Sequence, residues 1–160
     1  MKLAKIFLAM AALFAVSCGP NPNGGGSTSN SDWGNDGSII GEWELTSFSG
    51  SSEAKPRVYL ALNEDGSFDM YQQAFSIVWF HYTGTFTYNG TTLSGVYSDN
   101  KPWSAEYAVS FAKTPNRMRL INKTNSNEES IYNGCEIPTS IIDDARKPEN
   151  VRSVAIERFL

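Results

Sequence analysis

The sequence predicts an all-β protein in which an antiparallel meander closes into a barrel of about eight strands, with one short helix near the C-terminus. Apolar and polar residues alternate along most of the chain after Ile39, most clearly from Trp103 to Phe111. Turn-forming pairs such as Asn89-Gly90 separate neighbouring runs, so successive strands are joined as hairpins. A meander of this length has two exposed edges, and closure into a barrel removes both.

The strands are predicted one after another from this alternation. In the first, within GEWELT, Trp43 and Leu45 face one side while the polar residues face the other. The residues that mark the later strands are Val58, Leu60 and Leu62; Phe68 and Met70; Tyr82, Phe86 and Tyr88; Leu93 and Tyr97; Trp103 to Phe111; Met118 and Leu120; and Ile131 and Cys135. A two-layer sandwich is the alternative, but it usually needs longer connections than these hairpins provide.

The only predicted helix starts near Pro138-Thr139-Ser140 and ends before Pro148. We expect it to cover an open end of the barrel. Beyond it, the alternation of Val154, Ile156 and Leu160 predicts a final strand that returns to the sheet.

The N-terminal residues have the layout of a secretory signal, with Lys2 and Lys5 before an apolar run that is too short to span a bilayer. The stretch from Ala15 to Cys18 resembles the bacterial lipobox, which implies cleavage before Cys18 and its acylation with chains such as palmitate. An ordinary signal peptide with an incidental cysteine is the alternative. We therefore predict a signal peptide over 1–17, a flexible tether over 18–37 and the barrel domain over 38–160. Within the tether, Trp33 is expected to contact the domain loosely or not at all.

Charge and cysteine content restrict the possible partners and the compartment. The chain has 13 basic and 17 acidic residues, and loss of Lys2 and Lys5 with the signal peptide leaves a formal net charge of −6. This acidic balance argues against a nucleic-acid partner. With Cys18 in the anchor, no internal disulfide is expected. Gly19 differs from the aspartate that retains lipoproteins at the inner membrane, so we expect the protein on the outer membrane, facing the periplasm, with the cell surface as the alternative. We also expect a monomer.

The predicted barrel interior is the candidate ligand-binding site. Its inward-facing residues are large and apolar or amphipathic: Trp43, Leu60, Phe68, Met70, Phe86, Tyr97, Trp103 and Tyr107. Gly84 and Gly95 are expected to open gaps between them. An eight-stranded barrel is just wide enough either to hold one small ligand or to be filled by such side chains, and the sequence leaves both possibilities open.

The apolar run from Gln72 to Phe80 permits several structures. It is interpreted as a strand covered on both sides, a lid or lip at the barrel mouth, or an apolar patch that touches a partner or lipid. Phe75, Ile77 and Trp79 alternate within it, but the intervening residues leave no polar face.

Signs of catalysis are sparse. The single histidine, His81, lies between Phe80 and Tyr82 and is interpreted as structural, with a hydrolytic base as the alternative. Cys135 is interpreted as a small core residue. The acidic pairs Asp143-Asp144 and Glu64-Asp65 lack the spacing of a calcium loop, and there is no metal-ligand spacing of the Cys and His kind. We expect no catalytic residues, no cofactor and no metal.

Four stretches resemble lipocalin-like domain lipoproteins of anaerobic Gram-negative bacteria: IIGEWELTSF, LNEDGSFDMY, YTGTFTYNGTTLSGVYSDNKPWSAEYAVSF and CEIPTSIIDDARK with VAIERFL. The resemblance implies a calycin-like barrel. Gly41-Glu42-Trp43 matches the Gly-x-Trp of lipocalins, in which the tryptophan packs across the closed end and an arginine stacks on it, here Arg119 or Arg158.

The predicted function is that of a membrane-anchored, non-catalytic lipoprotein whose barrel binds a small hydrophobic or aromatic ligand. The alternative is a solid barrel that acts as an interaction module or inhibitor, with an envelope protein or a glycan as its partner.

Overall fold

A computed structural model describes residues 33–50, 55–74, 76–113, 115–148 and 157–160. It contains the predicted number of strands and one helix. In chain order these elements are β1 Gly41–Phe48, β2 Arg57–Leu62, β3 Ser67–Gln73, β4 Phe80–Tyr88, β5 Thr92–Tyr97, β6 Tyr107–Ala112, β7 Arg117–Asn122, β8 Glu129–Gly134 and α1 Thr139–Asp144. The predicted signal peptide and the lipidation site Cys18 lie outside the described residues.

The strands form a closed antiparallel barrel, as the alternation predicted. Each strand pairs with the next, and β1 also pairs with β8, for example Trp43 with Gly134 and Leu45 with Tyr132. The register shifts between Leu45 and Ser47, an irregularity of the kind that bends a strand where a barrel closes. With β1 and β8 joined, the sheet has no free edge.

The two ends of the barrel differ in the length of their connections. At one end, here called the closed end, hairpins of three or four residues join β2 to β3, β4 to β5 and β6 to β7. In the β4–β5 turn, Gly90 has φ 94° and the Asn89 side chain accepts hydrogen bonds from the backbone N–H groups of Thr91 and Thr92. At the other end, here called the mouth, connections of six to nine residues leave more room.

Trp43 seals the closed end. Its side chain is 2% exposed, its Nε1 donates to the Ile39 carbonyl at 3.0 Å, and its ring lies 6.4 Å from that of Phe111. This agrees with the position that the Gly-x-Trp resemblance implied.

The described end of the predicted tether contacts the barrel. Gly34 pairs with Phe111 through two backbone hydrogen bonds of 2.9 and 2.7 Å. The guanidinium groups of Arg117 and Arg119 lie 5.1 and 4.8 Å from the centre of the Trp33 ring. Arg119, which was expected as a partner for Trp43, thus lies over a different tryptophan.

Helix α1 lies on the outside of the barrel, so the expectation that it covers an open end is wrong. Tyr59 on β2 and Tyr71 on β3 face outward and, with Trp79, form an apolar patch against which Ile137 and Ile141 pack. Burial of this outward patch explains the position of the helix, since its aromatic residues would otherwise face water.

Contacts around α1 involve the side chains of Glu42 and Tyr59. The Glu42 carboxylate accepts a hydrogen bond from the backbone N–H of Ile137 at 2.6 Å, which directs the chain from β8 toward this outer surface. Burial and the neighbouring Glu44 carboxylate raise the pKa of Tyr59 to about 12, so its hydroxyl stays protonated and donates to Glu44.

The predicted final strand is wrong for the residues that can be described, because Glu157–Leu160 is not part of the sheet. Val154 and Ile156 lie outside the described residues. Phe159 and Leu160 are 9% and 2% exposed, and they pack in the main core cluster. Leu160, the described residue of this alternation, is buried at the barrel mouth and does not pair with another strand.

Candidate functional site

All eight candidate ligand-binding residues lie in or against the apolar cluster that fills the barrel. Seven of them are buried: Trp43, Leu60, Phe68, Met70, Tyr97, Trp103 and Tyr107. Phe86 is half-buried and packs against the same cluster. The sequence therefore identified residues that share one interior, and their role in ligand binding remains a prediction.

Aromatic rings pack edge to face through this interior. The Phe68 ring lies 5.1 Å from Trp103 and 5.6 Å from Tyr97, and Tyr97 lies 5.8 Å from Tyr82. Trp103 also contacts Tyr107, at 6.3 Å. Such pairs add about 0.5–1.5 kcal/mol each beyond the burial of apolar area. The arrangement is a network of rings rather than a uniform aliphatic core.

Two interior glycines accommodate rings at close range. A Cβ atom on Gly95 would overlap the Trp103 indole, and one on Gly84 would overlap the Val96 carbonyl and the Phe68 ring. The gaps that these glycines were expected to open are therefore filled. Trp103 reaches Gly95 from the β5–β6 connection, where its backbone N–H donates to the Gly95 carbonyl at 2.9 Å.

Three buried polar atoms in this interior have no hydrogen-bond partner among the described residues. They are the Tyr82 hydroxyl, the Trp103 Nε1 and the Tyr132 hydroxyl, on side chains that are 4%, 5% and 0% exposed. Burial raises the pKa of Tyr82, so its hydroxyl remains a neutral donor and acceptor. A buried polar group without a partner costs about 1–3 kcal/mol, so a ligand or water that formed a hydrogen bond to any of these atoms would stabilise the protein.

Glu157–Leu160, here called the mouth segment, occupies the mouth of the barrel. The Gln72 side chain donates to the Glu157 carbonyl at 2.8 Å and accepts from the Phe159 N–H at 2.9 Å. Tyr97 Oη donates to the Leu160 carbonyl at 2.7 Å. This arrangement was not predicted from the sequence, although a glutamine at an interior register position of β3 indicates that a polar group must bond to it.

Arg158 carries the charge of the mouth segment. Its guanidinium makes two hydrogen bonds to the Asp99 carboxylate, at 2.9 and 2.6 Å, and lies 4.2 Å from the centre of the Tyr97 ring and 5.3 Å from that of Tyr82. Hydrogen bonding to Arg158 holds the pKa of Asp99 well below its usual range. Arg158, the other arginine expected near Trp43, therefore lies at the opposite end of the barrel.

A cleft of about 370 Å³ opens beside the mouth segment. Phe48, Ser104, Asn122, Glu128 and Phe159 contribute to its walls. The cleft adjoins the mouth segment, and its mixed apolar and polar walls suit an amphipathic molecule.

The apolar run from Gln72 to Phe80 forms most of the β3–β4 connection at the mouth. β3 ends at Gln73 and β4 begins at Phe80, so the strand interpretation is wrong for the residues between them that the structure describes. Ile77 is 93% exposed, whereas Trp79 is buried against Tyr59 on the outer surface. The described part of the run forms a lip of the mouth, and Ile77 is its exposed apolar residue. Phe75 lies outside the described residues.

His81 lies on the outer face of β4, away from the aromatic interior. Its Nε2 is 2.7 Å from Asp69 Oδ1, and its ring stacks on Tyr71 at 4.4 Å. These contacts fit the interpretation of His81 as structural. Cys135 is half-buried beside the cluster formed by α1.

Replacement of Asp69 by asparagine should reduce stability more at neutral pH than in acid. Hydrogen bonding to His81 lowers the pKa of Asp69, so its ionised form stabilises the fold above the ordinary pKa near 3.9, and this contribution disappears as pH falls through the folded-state pKa. Because the carboxylate is partly exposed, we expect a loss of roughly 0.5–1 kcal/mol at pH 7. Thermal unfolding at pH 7 and pH 2.5 measures the difference, and an equal loss at both pH values would contradict it.

The described residues contain no group of three His, Cys, Asp or Glu side chains placed to hold a metal ion. Within the same part of the chain, no helix is both long and apolar enough to cross a membrane. Asp143 and Asp144 are exposed on α1, and Asp65 accepts hydrogen bonds from Ser67 within the β2–β3 turn.

The closed eight-stranded meander, with its aromatic interior and a tryptophan sealing one end, defines a barrel of the lipocalin type. The model of the lipocalin-like domain family matches residues 39–120, and the chain belongs to this family. Neither the curated proteins nor the solved structures include a match to this chain.

Proposed function

We propose that this protein is a lipid-anchored lipoprotein of the cell envelope whose barrel binds a small hydrophobic or aromatic molecule without catalysing a reaction. Membership of the lipocalin-like family supports ligand binding in a barrel. The observation that carries the proposal is the set of unpartnered interior atoms, of which Tyr82 Oη and Trp103 Nε1 belong to the network of aromatic rings around Phe68 and Tyr97.

These two atoms also indicate the kind of ligand. An indole N–H only donates, and a phenol both donates and accepts, so the ligand has an acceptor oxygen near its apolar body. The surrounding rings of Phe68, Tyr97 and Tyr107 favour an aromatic or alicyclic body. The position of His81 on the outer face supports a non-catalytic interior.

Copurification tests the proposal directly. The chain from Gly19 is expressed, purified without detergent and analysed by native mass spectrometry, and then titrated with a fluorescent fatty acid, whose carboxylate supplies acceptor oxygens. We expect a bound small molecule or saturable binding of the probe. Empty spectra together with no saturable binding would contradict ligand binding in the interior.

Replacement of Tyr82 by phenylalanine should separate binding from stability. Since its hydroxyl has no partner among the described residues, its removal should leave the free energy of unfolding unchanged or raise it by about 1 kcal/mol. The same change should weaken the fatty-acid probe about 5- to 10-fold. Urea unfolding and fluorescence titration measure the two effects.

Tyr97→Phe is the matched control for that variant. The Tyr97 hydroxyl donates to the Leu160 carbonyl at 2.7 Å, so its removal should lower the free energy of unfolding by about 1 kcal/mol. If the two variants lowered stability equally, the Tyr82 hydroxyl would have a hydrogen-bond partner in the unliganded protein. That result would contradict the proposal that a ligand oxygen bonds to this hydroxyl.

The second candidate function is an interaction module for an envelope protein or a glycan. It is favoured by Ile77, an apolar side chain that is 93% exposed at the lip of the mouth. An Ile77→Asp variant that loses capture of an envelope protein while it still binds the fatty-acid probe would support this candidate.

A further inference from the structure

The mouth segment is held by side chains of the barrel rather than by strand pairing. Its last two residues are buried, but it is not one of the eight strands that form the barrel. Its backbone groups bond to Gln72 and Tyr97, and its guanidinium bonds to Asp99. A peptide-binding site holds its ligand by the same three kinds of contact: hydrogen bonds to the peptide backbone, an ion pair with a charged side chain, and burial of apolar side chains.

Gln72 is the most informative of these residues. It is 1% exposed, and it stands at an interior register position among apolar neighbours such as Leu60 and Met70. Its amide donates to one backbone carbonyl of the mouth segment and accepts from the N–H two residues later, as a neighbouring strand would. Such a pairing recognises an extended peptide whatever its side chains. A buried amide with no such partner would destabilise the barrel.

Other contacts select the side chains. Asp99 binds the Arg158 guanidinium in a bidentate geometry that lysine does not reproduce, and the Tyr97 ring packs beneath it. The Phe159 ring meets Phe48 edge to face at 5.0 Å. Leu160 is 2% exposed, so the position after the aromatic residue is reserved for an apolar side chain.

We propose that the mouth is a peptide-binding site that recognises an extended sequence of arginine, an aromatic residue and an aliphatic residue, and that Glu157–Leu160 occupies this site in cis. The site uses the rim of the barrel, where Arg158 lies over the Tyr82 ring, and it does not use the interior atoms Tyr82 Oη and Trp103 Nε1. The peptide site therefore goes beyond the proposed small-molecule function, and each of the two proposals can be wrong while the other is right.

Occupation in cis predicts weak binding of peptides to the intact chain. A segment that belongs to the same chain as its site has an effective concentration in the millimolar range, which exceeds any ordinary concentration of an added peptide. A partner peptide therefore gains access when the segment is displaced or removed. The same displacement uncovers the aromatic interior below it.

The test uses a fluorescein-labelled peptide with the sequence of residues 153–160, SVAIERFL, and fluorescence anisotropy. A variant that ends at Ile156 should bind this peptide, and the intact chain should bind it at least 10-fold more weakly. A peptide with Glu in place of the arginine should also bind at least 10-fold more weakly. The matched control is a peptide with Gln in place of its glutamate, since Glu157 is exposed, and it should bind within 2-fold of the original.

A second variant keeps the full chain in case the shortened one does not fold. Arg158→Glu places a carboxylate against Asp99, which should release the segment and allow the arginine peptide to bind in trans. Adding Asp99→Arg to this variant should restore the cis pairing and exclude the peptide. Folding of each variant is checked by circular dichroism.

The outcomes distinguish the alternatives. If folded variants with a released segment bind the fatty-acid probe but not the peptide, the segment is a structural clasp and the proposal is wrong. If they bind the peptide but not the probe, the peptide site stands and the small-molecule function fails. Concentration-dependent dimers of the intact chain that disappear with Arg158→Glu would support the site with a second copy's segment as its occupant.

Discussion

Replacement of Trp43 by alanine is expected to lower the free energy of unfolding by about 3–5 kcal/mol, the range observed when a fully buried tryptophan is truncated. Trp43 is 2% exposed, contacts Phe111 and lies where β1 pairs with both β2 and β8. Its removal leaves a cavity at the closed end and an unpaired Ile39 carbonyl. Since small domains are stable by only about 5–15 kcal/mol, the loss is a large share of the total.

Urea unfolding of the chain from Gly19, followed by circular dichroism, measures this loss. Trp43→Phe keeps a ring but removes the bond to Ile39, and it should cost about 1–2 kcal/mol. Ile142→Ala, at an exposed position on α1, should change stability by less than about 0.5 kcal/mol. A Trp43→Ala variant no less stable than the Ile142→Ala variant would show that the closed end does not depend on this indole.

The barrel was predictable because the inner face of its sheet packs in an apolar core and most of the outer face contacts solvent. Along β6 and β7, apolar residues such as Val109, Phe111, Met118 and Leu120 are buried at every second position, and the residues between them are more exposed. Short turns then fix which strands are neighbours. These are local properties, so one sequence contains enough information to place them.

Alternation alone misplaced the start of one strand. Trp103 continues the pattern of Tyr107 and Val109, yet β6 begins at Tyr107 and Trp103 belongs to the preceding connection. Its indole is buried because the chain folds it onto Gly95, not because it lies on a strand. Apolar residues at every second position indicate which side chains are buried. A loop residue whose side chain is buried in the interior can continue this alternation by chance.

The mouth was not predictable for a different reason. Gln72 and Glu157 are 85 positions apart in sequence, and neither residue carries a local sign of the other. The outward tyrosines Tyr59 and Tyr71 likewise break the expected polarity of their strands, and only the packed helix explains them. Contacts between distant segments require knowledge of the whole fold.

The two ends of the barrel serve different purposes in this interpretation. The closed end is held by backbone hairpins and by Trp43, which packs against Phe111 and donates a hydrogen bond to the Ile39 carbonyl. The mouth is held by Gln72, Asp99 and Tyr97, whose hydrogen bonds can be exchanged for those of another ligand. In the functions proposed above, a ligand would therefore enter the barrel at the mouth.

Replacement of Cys18 by serine is expected to abolish incorporation of labelled palmitate when the full chain is expressed in a Gram-negative bacterium. The prediction rests on the match of Ala15 to Cys18 to a lipobox, since the thiol is the atom that would be acylated. Each methylene group of an acyl chain adds about 0.8 kcal/mol to the free energy of membrane binding, and one chain alone binds only marginally. The loss of two or three chains should therefore also move the protein from the detergent phase to the aqueous phase.

The chain supplies its own control, because its only other cysteine is Cys135, beside the helix cluster. Cys135→Ser should leave labelling and phase partition unchanged, since a half-buried thiol in the folded domain is not the acylation site. Labelling that survived Cys18→Ser, or that depended on Cys135, would refute the anchor. The protein would then be exported by an ordinary signal peptide and would not be attached to a membrane, and the proposed ligand site in the barrel would be unaffected.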